Sequence, residues 1–247
     1  MLVVAVVNSP GWPAVRRAFF DRHEFTSNLP EISRAFLTNV EIFCIAEGFI
    51  LIVGLAIAVM RSLPGPVFFP IRALAILYAD IFRGIPTILV IYILGFGAPA
   101  LQLSWLPTST LVWGTVGLVL IYSAYVSEVY RAGIDSVHPS QAAAARSLGL
   151  SRGQSLRHVV LPQAVRRVVP PLLNDFIGLQ KDTALIALLG TVEAFRQSQI
   201  DVAATFNFTP YLATALLFVA ITIPLARFTD WLLNRDRRRH QSAGALG

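Results

Sequence analysis

Six residues able to do chemistry, Glu47, Asn174, Asp175, Lys181, Asp182 and Thr183, fall inside stretches that are otherwise apolar enough for a membrane. An ionised side chain at membrane depth costs on the order of 3 kcal/mol unless it faces protein or water, so each needs a reason to be there. Transport offers one, since such groups can line a path for a charged or polar solute. For Glu47 the competing reading is a place near the interface or a bond to a neighbouring helix. Lys181, the only lysine of the chain, has two readings as well. Either it joins Asp182 or Asp175 in a charge cluster that holds helices together, or a broken helix here exposes backbone groups to a water-filled path. Catalysis has no such foothold. That lysine follows Gln180, so there is no Gly-Lys-Ser/Thr phosphate loop, and no HExxH, GxSxG elbow or GxGxxG fingerprint is expected. One cysteine, Cys44, leaves no intrachain disulfide and no cysteine-based metal site. No catalytic residue, metal ligand or resident cofactor is expected.

The elements that must carry these residues are membrane helices. The 247 residues are 55% hydrophobic and only 14% charged, the composition of an all-α polytopic membrane protein. Ile42 to Met60 is the first convincing span, with Gly48 and Gly54 offering close helix contact. Val67 to about Ala98 exceeds one straight crossing and predicts a tilted or kinked helix bending at Gly84-Ile85-Pro86. Within it Asp80 and Arg83 are spaced to pair. Leu111 to Ser127 follows, with Tyr122, Tyr125 and Tyr130 placed like an interfacial belt. Glu128 and Arg131, one turn apart, are expected to pair at its boundary. Val168 to Gly190 carries too many polar groups to face lipid and must face a bundle interior or break. Pro210 to about Leu233 is the last span. Residues 1–34 read as an extension lying on the membrane surface, or disordered. Residues 35–233 form the transmembrane domain, and 234–247 a basic tail.

Between spans, residues 136–163 are polar and arginine-studded, so they must project into water. Pro139 suits a helix first turn with Ser136 to His138 as candidate caps, and Gly149 suits the left-handed residue past its end. Ala142 to Ala145 leave little side-chain bulk, so another protein can approach the backbone closely. Ser151 and Gln154 have capping-box spacing, and Pro162 is expected to stop the second helix after Leu161. The pattern is a compact knob.

Gln141, Ala144 and Ala145, then Leu148-Gly149-Leu150-Ser151, then Leu161-Pro162-Gln163-Ala164, resemble the cytoplasmic EAA loop of ABC importer permeases of the polar amino-acid type. The resemblance recurs in order at Tyr78 to Pro86, similar to the family's RGTP segment with Ile85 for threonine. It returns at Ala124 to Gly133, and at Lys181-Asp182-Thr183-Ala184-Leu185, similar to KDTSL with Ala184 for serine. It implies about five core spans and a loop acting as a coupling helix that seats in a groove of the ATPase subunit. The implied docking residues are Gln141, Ala143, Ala144, Ala145, Leu148, Gly149, Leu150 and Ser151. It also implies import of a polar amino acid or close relative through a homo- or heterodimer of permeases in a bacterial inner membrane. An extracytoplasmic binding protein would deliver the solute, and two separate ATPases would bind ATP and Mg. Ala143 stands where the family has glutamate. Either a heteromeric partner permease supplies that carboxylate, or packing through Ala144, Ala145 and Gly149 suffices.

The net charge of +6 fits arginines marking cytoplasmic loops better than a nucleic-acid partner. Arg61, Arg72, Arg83, the loop arginines, Arg166, Arg167 and the tail fall on one side, against the uncharged 99–109 loop and Arg196 on the other. The positive-inside rule then puts the loop and C-terminus in the cytoplasm and the N-terminus outside. Arg16, Arg17, Arg22 and Arg34 dissent. Two other classes remain open: an ion-coupled secondary transporter using Glu47, Asp175, Lys181 and Asp182, and a membrane scaffold. The first would commonly show repeated halves, which are not seen; the second would not need the buried charge.

Overall fold

A computed structural model describes the backbone of residues 2–244 and the side chains of residues 4–233; these residues form helices and turns, with no strand among them. Hydrophobic length sets the architecture. Among the described residues, three helical stretches are long and apolar enough to cross a bilayer, within Trp12–Arg61, Thr110–Asp135 and Thr209–Leu233. The first contains α3 (Arg22–Arg61), which starts well ahead of Ile42 because the Asp21 carboxylate accepts from the backbone N–H of His23 (2.8 Å) and Glu24 (3.2 Å). Helices α1 (Leu2–Val7) and α2 (Trp12–Phe19) precede it. The segment before residue 35 is thus helical, and residue 34 marks no break.

Helices α4 (Phe69–Gly84) and α5 (Thr87–Ala100) make a further candidate span, bent by 104° where the sequence predicts a kink. Pro86 forces the residue before it out of helical geometry, and Ile85 is extended (φ −97°, ψ 133°). Helix α6 (Thr110–Asp135) leads into α7 (Pro139–Ser147), α8 (Arg152–Ser155) and a π turn, Leu156–Val160. Pro162 does not stop the chain there. The turn widens so that Leu161 N–H reaches the Leu156 carbonyl, and α9 (Leu161–Asp182) proceeds with Pro162 in its first turn. At 22 residues α9 is long enough to cross, but it is too polar to count by hydropathy. Length and hydropathy thus count three to four spans among the described residues, and α9, long enough though polar, brings the total to the five expected. After Asp182 the helix breaks as the polar run predicts, into a 3-10 segment, Thr183–Leu189, closed by Gly190 at φ 84°. Helices α10 (Ala194–Thr205) and α11 (Thr209–Gly244) complete the chain. The backbone of the tail continues α11 to Gly244, while its side chains and residues 245–247 lie outside the described residues.

Two compact units emerge. The first is made of the chain up to Cys44, Ile91–Thr115 and Gln180–Ile223. Its core gathers Ile32, Phe36, Ala194 and Ala213, with Phe36 edge-on to Phe218 at 5.0 Å. Leu189 fills the space left by Gly95, where a Cβ would come within 2.4 Å of it. The second unit comprises Ile45–Val90, Val116–Leu179 and the chain from Pro224. There Gly54 lets α3 approach Val126, and Gly133 lets α6 approach Val168, at 2.7 and 2.0 Å from where a Cβ would stand. Gly48, the other expected contact glycine, faces open space. Tyr122 is buried against Gly178 instead of joining an interfacial belt, and the Tyr78 hydroxyl donates to the Leu120 carbonyl at 2.8 Å. Leu37, Ile45, Phe49, Ile52, Leu55 and Val59 of α3 stay exposed. Their spacing leaves an apolar stripe pointing outward, as a helix in lipid requires.

Candidate functional site

The loop is built by local rules. His138 caps α7, its Nδ1 accepting from Ser140 N–H at 3.2 Å, and Pro139 occupies the first turn. At the other end Leu150 N–H donates to the Ala145 carbonyl (3.2 Å) and Gly149 N–H to the Arg146 carbonyl (3.0 Å). That pair of bonds is a Schellman motif, and it holds Gly149 at φ 89°. The capping box then starts α8: Ser151 Oγ accepts from Gln154 N–H and Gln154 Oε1 from Ser151 N–H, at 3.3 and 2.9 Å. Gly149 to Gly153 happen to spell Gly-x-Ser-x-Gly, the letters of a nucleophile elbow. Ser151 is a helix cap there, and no strand leads into it, so no nucleophile results.

The knob presents a small-residue surface. Gln141, Ala143, Ala144, Gly149 and Ser151 are exposed, Leu148 is 83% exposed, and Leu150 is half-buried. Ala143, Arg146, Gly149, Arg152 and Gln154 border an open cleft of about 650 Å³. Ala145 differs from the expectation. It is 5% exposed and seats α7 on its own chain, so it lies beneath the exposed surface of the loop and not on it. Val137 is buried under the loop, and Arg167 donates to the Ser136 carbonyl, tying α9 to the loop's entry.

Close in the same unit, Glu128 gathers three arginines. It meets Arg61 at 2.6 Å, Arg83 at 3.0 Å and Arg131 at 3.0 Å, and Arg131 also reaches Asp135 at 3.2 Å. The pairing with Arg131 matches its spacing, whereas Arg83 turns to Glu128 in place of Asp80. One carboxylate thus joins the ends of α3, α4 and α6.

The six candidate transport residues divide between the units. In the second, Glu47 and Asp175 are both partly buried and close enough for the charge of Asp175 to act on Glu47; Asp175 Oδ2 is buried without a hydrogen-bond partner. Asn174 is exposed on α9. A pair of acidic groups with unsatisfied oxygen is suited to a cation, an ammonium group or a proton. In the first unit Lys181 is exposed, Asp182 is partly buried, and Thr183 is fully buried. Thr183 belongs to a structural network. Its hydroxyl accepts from Asn39 Nδ2 at 3.1 Å and donates to the Gln180 carbonyl at 2.8 Å. Asn39 Nδ2 also donates to Glu193 at 2.8 Å. Glu193 has no exposed surface, and it accepts from the N–H groups of Phe195 and Arg196 at 3.0 and 2.7 Å, capping α10. Gln180 Oε1 accepts from Thr222 at 2.8 Å. Sequence reasoning passed over Asn39 and Glu193. The signal available was weak: an acidic residue just before a stretch of mixed polarity that becomes α10, and an amide close to the expected start of the first span.

Residues 50–238 match a family described as the binding-protein-dependent transport system inner membrane component. The chain is 34% identical over 197 residues to the probable glutamine ABC transporter permease protein GlnM of Bacillus subtilis (strain 168), covering 78% of this chain and 87% of that one. It is 31% identical to the probable amino-acid ABC transporter permease protein PatM of Vibrio harveyi (86% and 94% covered). With the arginine transport system permease protein ArtQ of B. subtilis it shares 32% (70% and 80% covered). Among solved structures, an amino acid ABC transporter crystallised with histidines superposes with a TM-score of 0.78 at 28% identity, covering 87% of this chain and 98% of that one. The methionine transporter MetNI, in an inward-facing form, shares the fold at a TM-score of 0.66 and 17% identity, over 83% and 95% of the two chains.

Proposed function

The chain belongs to the inner membrane components of binding-protein-dependent transport systems, and we propose that it is the permease through which a polar amino acid enters the cell. The observation that carries this reading is the α7–Gly149–α8 knob, a rigid small-residue surface on an otherwise apolar chain with no phosphate loop of its own. In this reading ATP and Mg bind to separate ATPase subunits, which dock on Gln141, Ala143, Ala144 and Leu148. A second permease subunit completes the path, and an extracytoplasmic binding protein delivers the solute. The knob faces the cytoplasm with the C-terminus, and the N-terminus lies outside. The polar class is supported by relatives named for glutamine and arginine transport. It is supported too by Glu47 and Asp175, whose carboxylates suit the ammonium group of an amino acid.

The loop geometry explains how hydrolysis would move the path. Closure of the ATPase pair displaces α7. The Schellman motif and capping box make the elbow stiff, and helical backbone then runs without interruption from Arg152 to Asp182. A displacement of α7 is therefore passed along α9 to Asp175 as a rigid-body shift. Ala143 is exposed where a carboxylate is usual, so contact at this position is by close packing. The test is co-purification with the candidate ATPase, followed by uptake competition in proteoliposomes. Polar amino acids should compete and apolar branched ones should not; the reverse order would refute the substrate class.

A further inference from the structure

The arginines at the start of the chain are unexplained by transport, and they run against the charge rule that orients the rest. Three of them, Arg16, Arg17 and Arg22, border one open cleft of about 560 Å³ with Trp12, Phe20 and Asp21. We infer that this cleft and helix α2 form a docking site for the headgroup of an anionic phospholipid.

Placement is the first argument. The end of α2 is fastened to the start of the α11 span. Phe208 N–H donates to the Ala18 carbonyl at 2.7 Å, Asn207 Nδ2 to the Arg17 carbonyl at 3.1 Å, and Asp21 N–H to Thr209 Oγ1 at 3.1 Å. Phe19 stacks on Phe208 with ring centroids 5.1 Å apart. Thr209 opens the apolar stretch Thr209–Leu233, so these bonds hold α2 at the level where hydrocarbon gives way to headgroups.

Amphipathicity is the second. Helix α2 buries none of its residues. At about 100° per residue, Ala14, Val15, Ala18 and Phe19 fall on one arc and Arg16 and Arg17 on the opposite one, with Trp12 at the border beside Arg16. Val15 and Phe19 are 42% and 41% exposed. An exposed helix with aromatic and aliphatic groups on one side and arginines on the other suits the boundary between acyl chains and headgroups. Charge complementarity selects the lipid. Asp21 is the one carboxylate in the cleft, and its Oδ1 is already engaged by His23 and Glu24 N–H. The cleft keeps a net positive charge, and guanidinium groups match phosphate geometry in a way that a zwitterionic headgroup partly cancels. Both arguments rest on α11 crossing the membrane and are independent of the substrate.

The test uses the full-length protein in detergent, incubated with phosphatidylglycerol or phosphatidylcholine and read by native mass spectrometry. Wild type should retain phosphatidylglycerol preferentially. R16Q/R17Q/R22Q should lose about fivefold in that affinity per arginine removed, with phosphatidylcholine binding unchanged, and R16K/R17K/R22K should keep most of the preference. Equal phosphatidylglycerol retention by wild type and the glutamine variant overturns the inference. So does displacement of the lipid by inorganic phosphate, which would mark a soluble-anion site. Loss of binding to the extracytoplasmic binding protein in the glutamine variant, with no lipid preference in wild type, also overturns it, and would make the cleft a protein contact.

Discussion

Replacing Gly149 separates backbone conformation from side-chain bulk, because a Cβ built there meets nothing within 4 Å while the backbone sits at φ 89°. The cost of a substitution is therefore conformational. Left-handed geometry costs an ordinary L-residue about 1 kcal/mol, rising to about 2 kcal/mol for a β-branched one, and asparagine enters it readily. If the ATPase recognises the knob only with this elbow formed, the strain appears in docking at about 1.4 kcal/mol per tenfold. The expected order is G149N near wild type, G149A about fivefold weaker and G149V about thirtyfold weaker. The assay is equilibrium binding of the candidate ATPase to the full-length variants in detergent, with thermal unfolding run in parallel to show that the spans are intact. Equal affinity for G149N and G149V would refute the requirement for a left-handed elbow. Equally poor binding by all three would place the difficulty in a collision with the ATPase surface.

Other perturbations have defined outcomes. A Cβ at Gly133 would stand 2.0 Å from Val168 Cγ2, so G133A should lose about 1–3 kcal/mol through overpacking, and V168A in the same chain should restore most of it. Thermal unfolding in detergent reads both, and absence of recovery would mean that the two side chains do not share that space. E128Q removes the carboxylate between Arg61, Arg83 and Arg131; it should lower thermal stability, with partial recovery at high salt as arginine repulsion is screened. A salt-independent loss would contradict the electrostatic account. E193A leaves the N–H groups of Asn39, Phe195 and Arg196 without their acceptor, at about 1–3 kcal/mol for each buried donor left bare. It should be more damaging than E193Q, and equal melting temperatures would refute the network's role.

What the sequence made legible was local. Pro139, Gly149 and the Ser151–Gln154 pair act over a few residues, so their types and spacing specify the knob almost completely. The break after Gly84 and the one after Asp182 were legible for the same reason, a proline in one case and a polar run in the other. Pro162 was misread because relief came from a π turn, which no single residue announces. The distant partners were illegible. Arg61 and Arg83 reach Glu128 across 67 and 45 residues, and Asn39 reaches Glu193 across 154. Spacing rules say nothing about such pairs, and so Thr183, expected on the path, proved to be held inside a structural network. The long start of α3 was hidden because Asp21 caps a stretch whose mixed charge reads as surface.

The central claim is that an ATPase docked on the loop drives transport. It is tested most directly by reconstituting the full-length chain, with its candidate ATPase and binding protein, in proteoliposomes whose proton and sodium gradients can be collapsed. The account predicts amino-acid uptake that requires ATP and the ATPase and persists without either gradient. Uptake that proceeds without the ATPase and stops when an ion gradient is collapsed would contradict it.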